Sequence, residues 1–477
     1  MHRPIVVLFE QDRADEPDGW PNCVTELTLK WVFLAILLVS IGPASAWLRK
    51  RPDSVTWACF LIGLLPFISG WFHFLAAPIS WDWVGYTKGL EIWVIDFVAV
   101  VIVIFLRGKF KKPPFIIPMA LYFISVLIAT FHADIPEAAV FYCWQLLRIF
   151  MVYFTVVNIC ALEFEATSAI LKGLAAGELL ECAFAIWERF RLHILQTPGT
   201  LGSQNELGIA THFVVFPFFA IMLGGRRGWL PAVVVLASLM TYALTTSRAS
   251  VLLGVVGLGL VWLLSSLAQF SGRKLAVVTI GLIALALMAP LAITSFDKRF
   301  AGGRSLGLAE DSERLAFKRA AWMMLADHPE GVGPNNFVEV ANVGGYYNRS
   351  GGVSRLGRST NVHNLYLLVL AETGPLGLAS FILMLAAPLV MALRYGPFGR
   401  WQAGDPQRDI LIGASVTLMI VYIHSTEEWV PIVAELQYLL AIMFGLIAGL
   451  TAEERAAKRM RDRLPASSQN LLRGGSP

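Results

Sequence analysis

The sequence predicts an all-α integral membrane protein that crosses the bilayer about 12–13 times and carries one long loop on its outer side. Of its 477 residues, 56% are hydrophobic and 15% are charged, and the mean hydropathy is +0.63. Soluble domains carry about 25% charged residues. Apolar runs of about 17–25 residues recur along most of the chain, and each is long enough to cross the hydrocarbon core as a helix.

These apolar runs give about thirteen candidate membrane segments. They are residues 31–47, 55–77, 91–106, 115–132, 138–160, 166–187, 207–224, 229–245, 249–268, 275–294, 364–393, 409–425 and 433–451. The first is the weakest, because it is short and contains Pro43. The chain thus divides into a polar N-terminal segment (1–30), helices over 31–294, a long outer loop (295–362), further helices over 363–451 and a basic tail (452–477).

Lysine and arginine in short loops favour the cytoplasmic side of a membrane. Basic clusters fall on alternate loops, at 48–52, 107–112, 225–228, 272–274, 394–400 and in the tail. The same assignment places outside the acidic N-terminal stretch and the loops 131–137, 188–206, 245–250, 295–362 and 424–429. Three of these outer loops carry arginine, against the rule. Arginine tips can anchor a helix at the interface, but three such loops favour a phosphate or pyrophosphate site, because a guanidinium group binds phosphate oxygens in pairs.

Composition disfavours several other classes of protein. The net charge of +4 is small and no dense basic face is present, so nucleic acid is not an expected partner. The five cysteines are scattered without paired spacing, which predicts neither a disulfide framework nor a zinc site. The N-terminus lacks the pattern of a cleaved signal peptide. We expect no metal and no cofactor.

A few ionisable residues lie within the apolar runs, where each is costly unless it is paired or functional. They are Asp96, Arg148, Lys172, Glu178, Glu181 and Glu372. They either form structural ion pairs that fix helix packing or mark a proton or ion pathway. The acids do not recur on successive helices, and no pair of broken helices stands in matching halves of the chain, which disfavours an inverted-repeat transporter.

The outer loop 295–362 is long enough to carry structure or function of its own. Residues 310–331 predict an amphipathic helix. Its expected apolar contacts are Leu315, Trp322 and Leu325. The glycines and proline of 328–337 predict a compact bend. Further on, Tyr346 and Tyr347 either cover a polar substrate such as a sugar or lie in a disordered loop.

His363 ends this loop at the membrane surface, beside the outward arginines. Imidazole titrates near neutral pH, which makes His363 a candidate general base, although a lone histidine is more often a packing residue. Glu372 follows about 13.5 Å further along a regular helix and on another side, so we interpret it as a partner of a neighbouring helix or arginine. Gly374 and Gly377, around Pro375, let another helix approach closely or bend this one.

Four motifs resemble the bacterial O-antigen ligase and polymerase superfamily. They are GTLGSQNELG (199–208), TTSRAS (245–250), RLAFKRAAWMMLADHPEGVGPNNF (314–337) and HNLYLLVLAETGPLGL (363–378). The resemblance implies a GT-C-like inner-membrane glycosyltransferase whose active site faces the periplasm. Such enzymes move a glycan from undecaprenyl pyrophosphate to lipid A-core or to a second lipid-linked repeat, with inversion and without a metal, and some act with a chain-length regulator.

By the same resemblance, His363 is the base that activates the acceptor hydroxyl. Arg248 and Arg314 bind the donor pyrophosphate, and Asn364 and Glu372 support the site. Arg189, Arg191 and Arg319 are further substrate-binding candidates. The predicted topology differs from that of the family at the N-terminus. The family has about twelve spans with the N-terminus inside, whereas the hydropathy pattern of this sequence predicts one more span and an N-terminus outside.

Two other classes of function stay open at this point. One is a transporter or a lipid-linked glycan flippase, and the other is a non-catalytic member that organises an export complex. Within the enzyme class, the sequence does not separate a ligase from an O-antigen polymerase, an exopolysaccharide polymerase or a protein O-glycosyltransferase.

Overall fold

The computed structural model describes residues 20–68, 73–80, 83–225, 228–281, 304–355, 357–399, 401, 404–452 and 454–456, and for 20–30 and 304–311 it describes the helical backbone. Predictions for residues 1–19, for 282–303 and for the tail from 457 onward lie outside the described residues.

Helices dominate this part of the chain. They are α1 (Trp20–Lys50), α2 (Val55–Ile68), α3 (Val94–Phe105), α4 (Ile116–Thr130), α5 (Pro136–Cys160), α6 (Phe164–Arg191), α7 (Gln204–Leu223), α8 (Leu230–Thr245), α9 (Arg248–Ala268), α10 (Arg304–Asp327), α11 (Phe337–Val343), α12 (Tyr346–Arg349), α13 (Leu365–Tyr395), α14 (Pro406–His424) and α15 (Ala434–Leu450). Residues 272–281 are also helical.

Five helices among the described residues are long and apolar enough to cross a membrane. They are Trp31–Lys50, Pro136–Cys160, Gln204–Leu223, Arg248–Ala268 and Leu365–Tyr395, and several shorter apolar helices accompany them. The predicted fold class, an all-α multi-pass membrane protein, is confirmed. The weak segment 31–47 lies within α1.

The predicted segment 55–77 is wrong as a single helix. α2 ends at Ile68, and a short antiparallel hairpin follows, in which β1 (His73–Pro78) pairs with β2 (Gly89–Trp93). A Cβ at Gly89 would lie 2.0 Å from the carbonyl oxygen of Ala77, so the paired strands approach each other here more closely than any residue but glycine permits. Hydropathy alone does not separate a short buried strand from a helix, which is why the pattern joined them.

The helices pack closely through small residues and one buried ion pair. Gly63 of α2 meets Gly173 of α6, where an added Cβ on either would lie within about 2 Å of the opposing backbone. The Nη1 of Arg148 lies 3.1 Å from the Oδ2 of Asp96, and the Tyr438 hydroxyl bonds both. Of the two interpretations of Arg148, the structural ion pair is the one that the structure shows.

The other ionisable residues of the apolar runs do not follow that pattern. Lys172 is exposed on α6. Glu178 and Glu181 are fully buried, and Glu181 accepts a hydrogen bond of 2.9 Å from the backbone N–H of Thr200. Of the two interpretations, the structural ion pair is not found for Glu181 among the described residues, because its hydrogen-bond partners there are the backbone amide and the hydroxyl of Thr200.

The predicted outer loops meet at one end of the helices. Ile135 exchanges hydrogen bonds with the Asn336 side chain, and Thr246 bonds the carbonyl oxygen of Leu195. At the other end, Arg49 bonds the carbonyl oxygen of Ile104, which joins two of the predicted inner ends. The alternation derived from lysine and arginine thus agrees with how the loops are grouped in space.

The loop helix α10 buries a different face from the one expected. Its buried residues are Ala316, Phe317, Ala320, Ala321 and Met324. Leu315 and Trp322 are 49% and 57% exposed, so their predicted role as apolar contacts is wrong. The buried residues share one helical stripe at spacings of three and four, and that stripe faces the rest of the protein.

Tyr346 and Tyr347 are buried, which favours neither a direct cover over a substrate nor a disordered loop. The Tyr347 hydroxyl donates to the carbonyl oxygen of Thr360 at 2.7 Å, and the Tyr346 hydroxyl donates to Asp327 at 2.9 Å. Both tyrosines therefore hold the loop together.

α13 bends at Gly374, as the Gly-Pro pair predicts. Gly374 has φ 66° and ψ −175°, outside the helical region. The bend of the outer loop fits into this break, since the N–H of Gly333 donates to the carbonyl oxygen of Glu372 at 2.8 Å. The short first part of α13 is thereby fixed against the loop, with His363 just before it.

Candidate active site

His363 pairs with a carboxylate that lies far away in the sequence. Its Nδ1 is 3.1 Å from the Oε2 of Glu428, in the turn that follows α14. A carboxylate acceptor keeps the proton on Nδ1, so Nε2 is left with a lone pair that can accept a proton. The edge of the His363 ring also meets the buried Phe317 of α10, with centroids 5.7 Å apart. The imidazole is therefore oriented from two sides.

Glu428 is the centre of the cluster. Its Oε1 accepts hydrogen bonds from Nη2 of Arg314 at 3.0 Å and from Nδ2 of Asn205 at 2.9 Å. The Glu428 side chain is 4% exposed, whereas those of His363 and Arg314 are 20% and 27% exposed. The carboxylate is thus enclosed by partners, and the two basic side chains reach the surface.

The charges around Glu428 keep it ionised. Burial would raise the pKa of its carboxyl group, but the hydrogen bond and charge of His363 and the guanidinium of Arg314 outweigh burial, so the pKa lies below its ordinary value. An ionised carboxylate is the form that stabilises an imidazolium when His363 takes up a proton.

The turn that carries Glu428 is attached to the start of α13. Asn364 caps this helix by accepting from the N–H of Leu367 at 2.8 Å, and its Nδ2 donates to the carbonyl oxygen of Thr426 at 2.9 Å. The N–H of Leu365 donates to Ser425. An N-cap residue contributes about 1 kcal/mol to a helix, so Asn364 stabilises the start of α13. Its second hydrogen bond, to Thr426, holds the turn that carries Glu428 next to His363.

The network continues to the start of α9, where Arg248 lies. Asn205 accepts a hydrogen bond of 3.1 Å from the hydroxyl of Ser247, and Ser247 caps α9 through the N–H of Ser250. Arg248 is the first residue of this helix and is exposed. The structure therefore brings together His363, Asn364 and Arg314, and links them to Arg248 through Asn205 and Ser247.

The remaining arginine candidates lie at the same end of the protein. Arg189 donates to the carbonyl oxygen of Leu195 at 2.9 Å, which holds the 188–206 loop to α6. Arg191 and Arg319 are exposed. No hydrogen bond from any of the three to His363 or Glu428 is found in the described part of the chain.

Glu372 belongs to a second, separate group of polar residues. It accepts from the Tyr86 hydroxyl at 2.7 Å and from the N–H of Phe337 at 3.1 Å. Tyr86 in turn accepts from the N–H of Asn335. Gly377 packs so closely against the Thr373 side chain that an added Cβ would overlap it. Glu372 lies at the break in α13, and its hydrogen bonds connect this helix to the loop after β1 and to the outer loop.

Sequence reasoning missed Glu428 and Asn205. The signal for Glu428 was its position in an acidic pair on an outer loop, and Asn205 lies inside one of the recognised motifs. Among the described residues, no three histidine, cysteine, aspartate or glutamate side chains stand close enough together to hold a metal ion. Metal-independent chemistry remains a prediction.

Residues 232–382 match a family model described as O-antigen ligase. Over this segment the chain is similar to the O-antigen ligase family. The recognition made from the motifs is thereby confirmed, and the match supports an O-antigen ligase or polymerase type of function in general. The O-antigen ligase segment contains Arg248, Arg314 and His363, whereas Glu428 and Asn205 lie outside it. No curated protein matches the chain.

Proposed function

We propose that the protein is a glycosyltransferase of the bacterial inner membrane. It transfers or polymerises a glycan from an undecaprenyl-pyrophosphate donor at the periplasmic face, and its acceptor is lipid A-core or a second lipid-linked repeat. The observation that carries the proposal is the bond between His363 and Glu428, at the end of the helices where the outer arginines gather. The O-antigen ligase segment supports the reaction class.

The geometry suits general-base catalysis. With Nδ1 held by Glu428, the Nε2 of His363 accepts the proton of the acceptor hydroxyl. The hydroxyl oxygen forms a bond to the anomeric carbon, and the bond from that carbon to the pyrophosphate oxygen breaks. The electron pair of the broken bond leaves with the pyrophosphate. A single displacement of this kind inverts the anomeric carbon and needs no metal.

Arginines stabilise the leaving pyrophosphate. Arg248, at the exposed start of α9, is the principal donor-binding residue. Arg314 has two roles, because two of its nitrogens donate hydrogen bonds to the Glu427 carbonyl oxygen and to the Glu428 carboxylate. It therefore positions Glu428 as well as adding positive charge. Arg189, Arg191 and Arg319 supply further positive charge to the lipid pyrophosphate as it approaches.

The test is a transfer assay with purified protein in liposomes that contain a lipid-pyrophosphate glycan and an acceptor. Wild type should form a new glycosidic bond, and His363→Ala should reduce the rate by about 10²–10⁴-fold, the range for loss of a general base. The variant must insert normally, as judged by its size-exclusion profile. Unchanged product from His363→Ala would refute the proposal, as would flipping of the glycan lipid without bond formation, which a flippase predicts.

Arg248 provides the second arm of the test. Arg248→Ala should weaken donor binding and slow transfer, whereas Arg248→Lys should restore only part of the rate, because lysine keeps the charge and loses the planar pair of donors. Full activity of Arg248→Ala would remove Arg248 from the donor site. Wild-type behaviour of both the His363 and Arg248 variants would favour a non-catalytic organiser of an export complex.

A further inference from the structure

A polar cavity lies at the opposite end of the helices from His363. Its volume is about 270 Å³, and it is bordered by the end of α7, the end of α9, residues 271–274 and the start of α14. Gly225, Arg273 and Lys274 border it, and they belong to the loops 225–228 and 272–274, whose lysine and arginine content predicts the cytoplasmic side. The cavity therefore lies at the level of the inner lipid headgroups.

Five charged side chains line this cavity. They are Arg273, Lys274, Arg408, Asp405 and Asp409. Three cations against two carboxylates leave an excess of one positive charge. A phosphodiester carries one negative charge and would balance it.

One of the cations, Lys274, is held in place by the fold. The Nζ of Lys274 donates to the carbonyl oxygens of Ser265 and Gln269, both at 2.7 Å, so this ammonium group caps the end of α9. Burial lowers the pKa of Lys274, Asp409 acts in the opposite direction, and Arg408 adds to the lowering. A bound anion would offset the cost of burying this ammonium group.

One donor in the cavity wall lacks an acceptor. The Nε of Arg408 is buried, and no hydrogen-bond partner for it is found among the described residues. This nitrogen is sealed from the cavity, so a bound phosphate oxygen would be contacted by other guanidinium nitrogens of Arg408, which lines the cavity.

The geometry points to a binding site for the phosphodiester headgroup of an anionic phospholipid in this inner cavity. Basic pockets between membrane helices on the cytoplasmic side are suited to such headgroups. The cavity is smaller than the roughly 300–1,000 Å³ of sites that enclose a drug-sized ligand, which fits a headgroup whose acyl chains stay in the bilayer. The lipid would link α7, α9 and α14, three helices whose outer ends carry or adjoin the candidate active site.

The experiment is native mass spectrometry of the purified full chain, with phosphatidylglycerol or phosphatidylcholine added at equal concentration. Wild type should retain phosphatidylglycerol in clear preference to phosphatidylcholine. Arg408→Gln and Arg273→Gln, which change different walls of the cavity, should each lower retention by about fivefold, since one cation contributes about 1 kcal/mol to binding an anionic lipid. Unfolding temperatures measured in phosphatidylcholine alone show whether each variant is folded.

Arg394→Gln is the matched control, because Arg394 is an exposed arginine at the inner end of α13 that packs over the Tyr395 ring. It should retain phosphatidylglycerol like wild type. Equal retention of both lipids by wild type, or an equal loss in Arg394→Gln and Arg408→Gln, would overturn the assignment. Displacement of phosphatidylglycerol by millimolar inorganic phosphate, with no preference among lipids, would assign the cavity to free phosphate instead and would equally overturn the lipid site.

Discussion

Two carboxylates of this protein each pair with a cation, and the surroundings of the two pairs differ. Asp96 and Arg148 lie between helices, with 8% and 3% of their side chains exposed, and the hydroxyl of Tyr438 closes the pair. Glu428 is equally buried, at 4%, but its partners His363 and Arg314 reach the surface.

The difference in solvent access indicates which pair only stabilises the fold and which one can take part in a reaction. A sealed pair fixes the packing of helices and cannot meet a substrate, whereas a buried carboxylate with exposed basic partners orients groups that can. Of the two, only the group formed by Glu428, His363 and Arg314, here called the outer cluster, is expected to take part in a reaction. Each of the following changes tests that division.

Arg148→Met should have the largest effect, and the effect should be on stability. Removal of one partner leaves Asp96 as an uncompensated buried charge, which costs about 3–5 kcal/mol. The measurement is denaturant unfolding in detergent, together with transfer activity per folded molecule, which should stay near wild type. The double variant Asp96→Asn, Arg148→Met should recover part of the lost stability. Lost activity without lost stability would mean that the sealed pair also serves the reaction.

Glu428→Gln should lower the transfer rate by about 10²-fold, the lower end of the range for general-base catalysis. The amide still fills the space but cannot stabilise an imidazolium at His363. The neighbouring Glu427 provides the control, because its side chain is 55% exposed and lies 4.0 Å from Arg314. Surface pairs of this kind contribute little, so Glu427→Gln should keep most of the activity. Equal losses of activity in the two variants would show that Glu428 is not the carboxylate that assists His363.

Arg314→Lys should have a smaller effect, about tenfold on the rate. Arg314 holds the Glu427 carbonyl oxygen and the Glu428 carboxylate with two different nitrogens. Lysine keeps the charge but cannot span both acceptors in this planar arrangement. The rate constant should fall more than the affinity for the donor if Arg314 acts mainly through Glu428. A change in donor affinity alone would assign Arg314 to the pyrophosphate.

Local sequence patterns predicted most of the helices and the bend in α13, because hydropathy and a Gly-Pro pair act on neighbouring residues. The hairpin after α2 was missed, since a short buried strand and a helix end have similar composition. Glu428 was missed for a different reason. It lies 65 residues from His363 and 114 from Arg314, and no spacing rule connects residues that meet only after the helices pack.

The smallest expected effect is the acid dependence of the outer cluster. The pKa of Glu428 is lowered in the folded protein, so its stabilising contribution is present above the ordinary carboxyl value of 4.5 and is lost as the pH falls through the lower folded value. The difference in unfolding temperature between wild type and Glu428→Gln should therefore not shrink from pH 7 to pH 5, and should diminish only below 4.5. Glu427→Gln serves as the reference for acid effects elsewhere in the protein. If the difference already disappeared above pH 5, the carboxylate would not be held by His363 and Arg314 as the contacts indicate, and the contrast with the sealed pair at Asp96 would lose its basis.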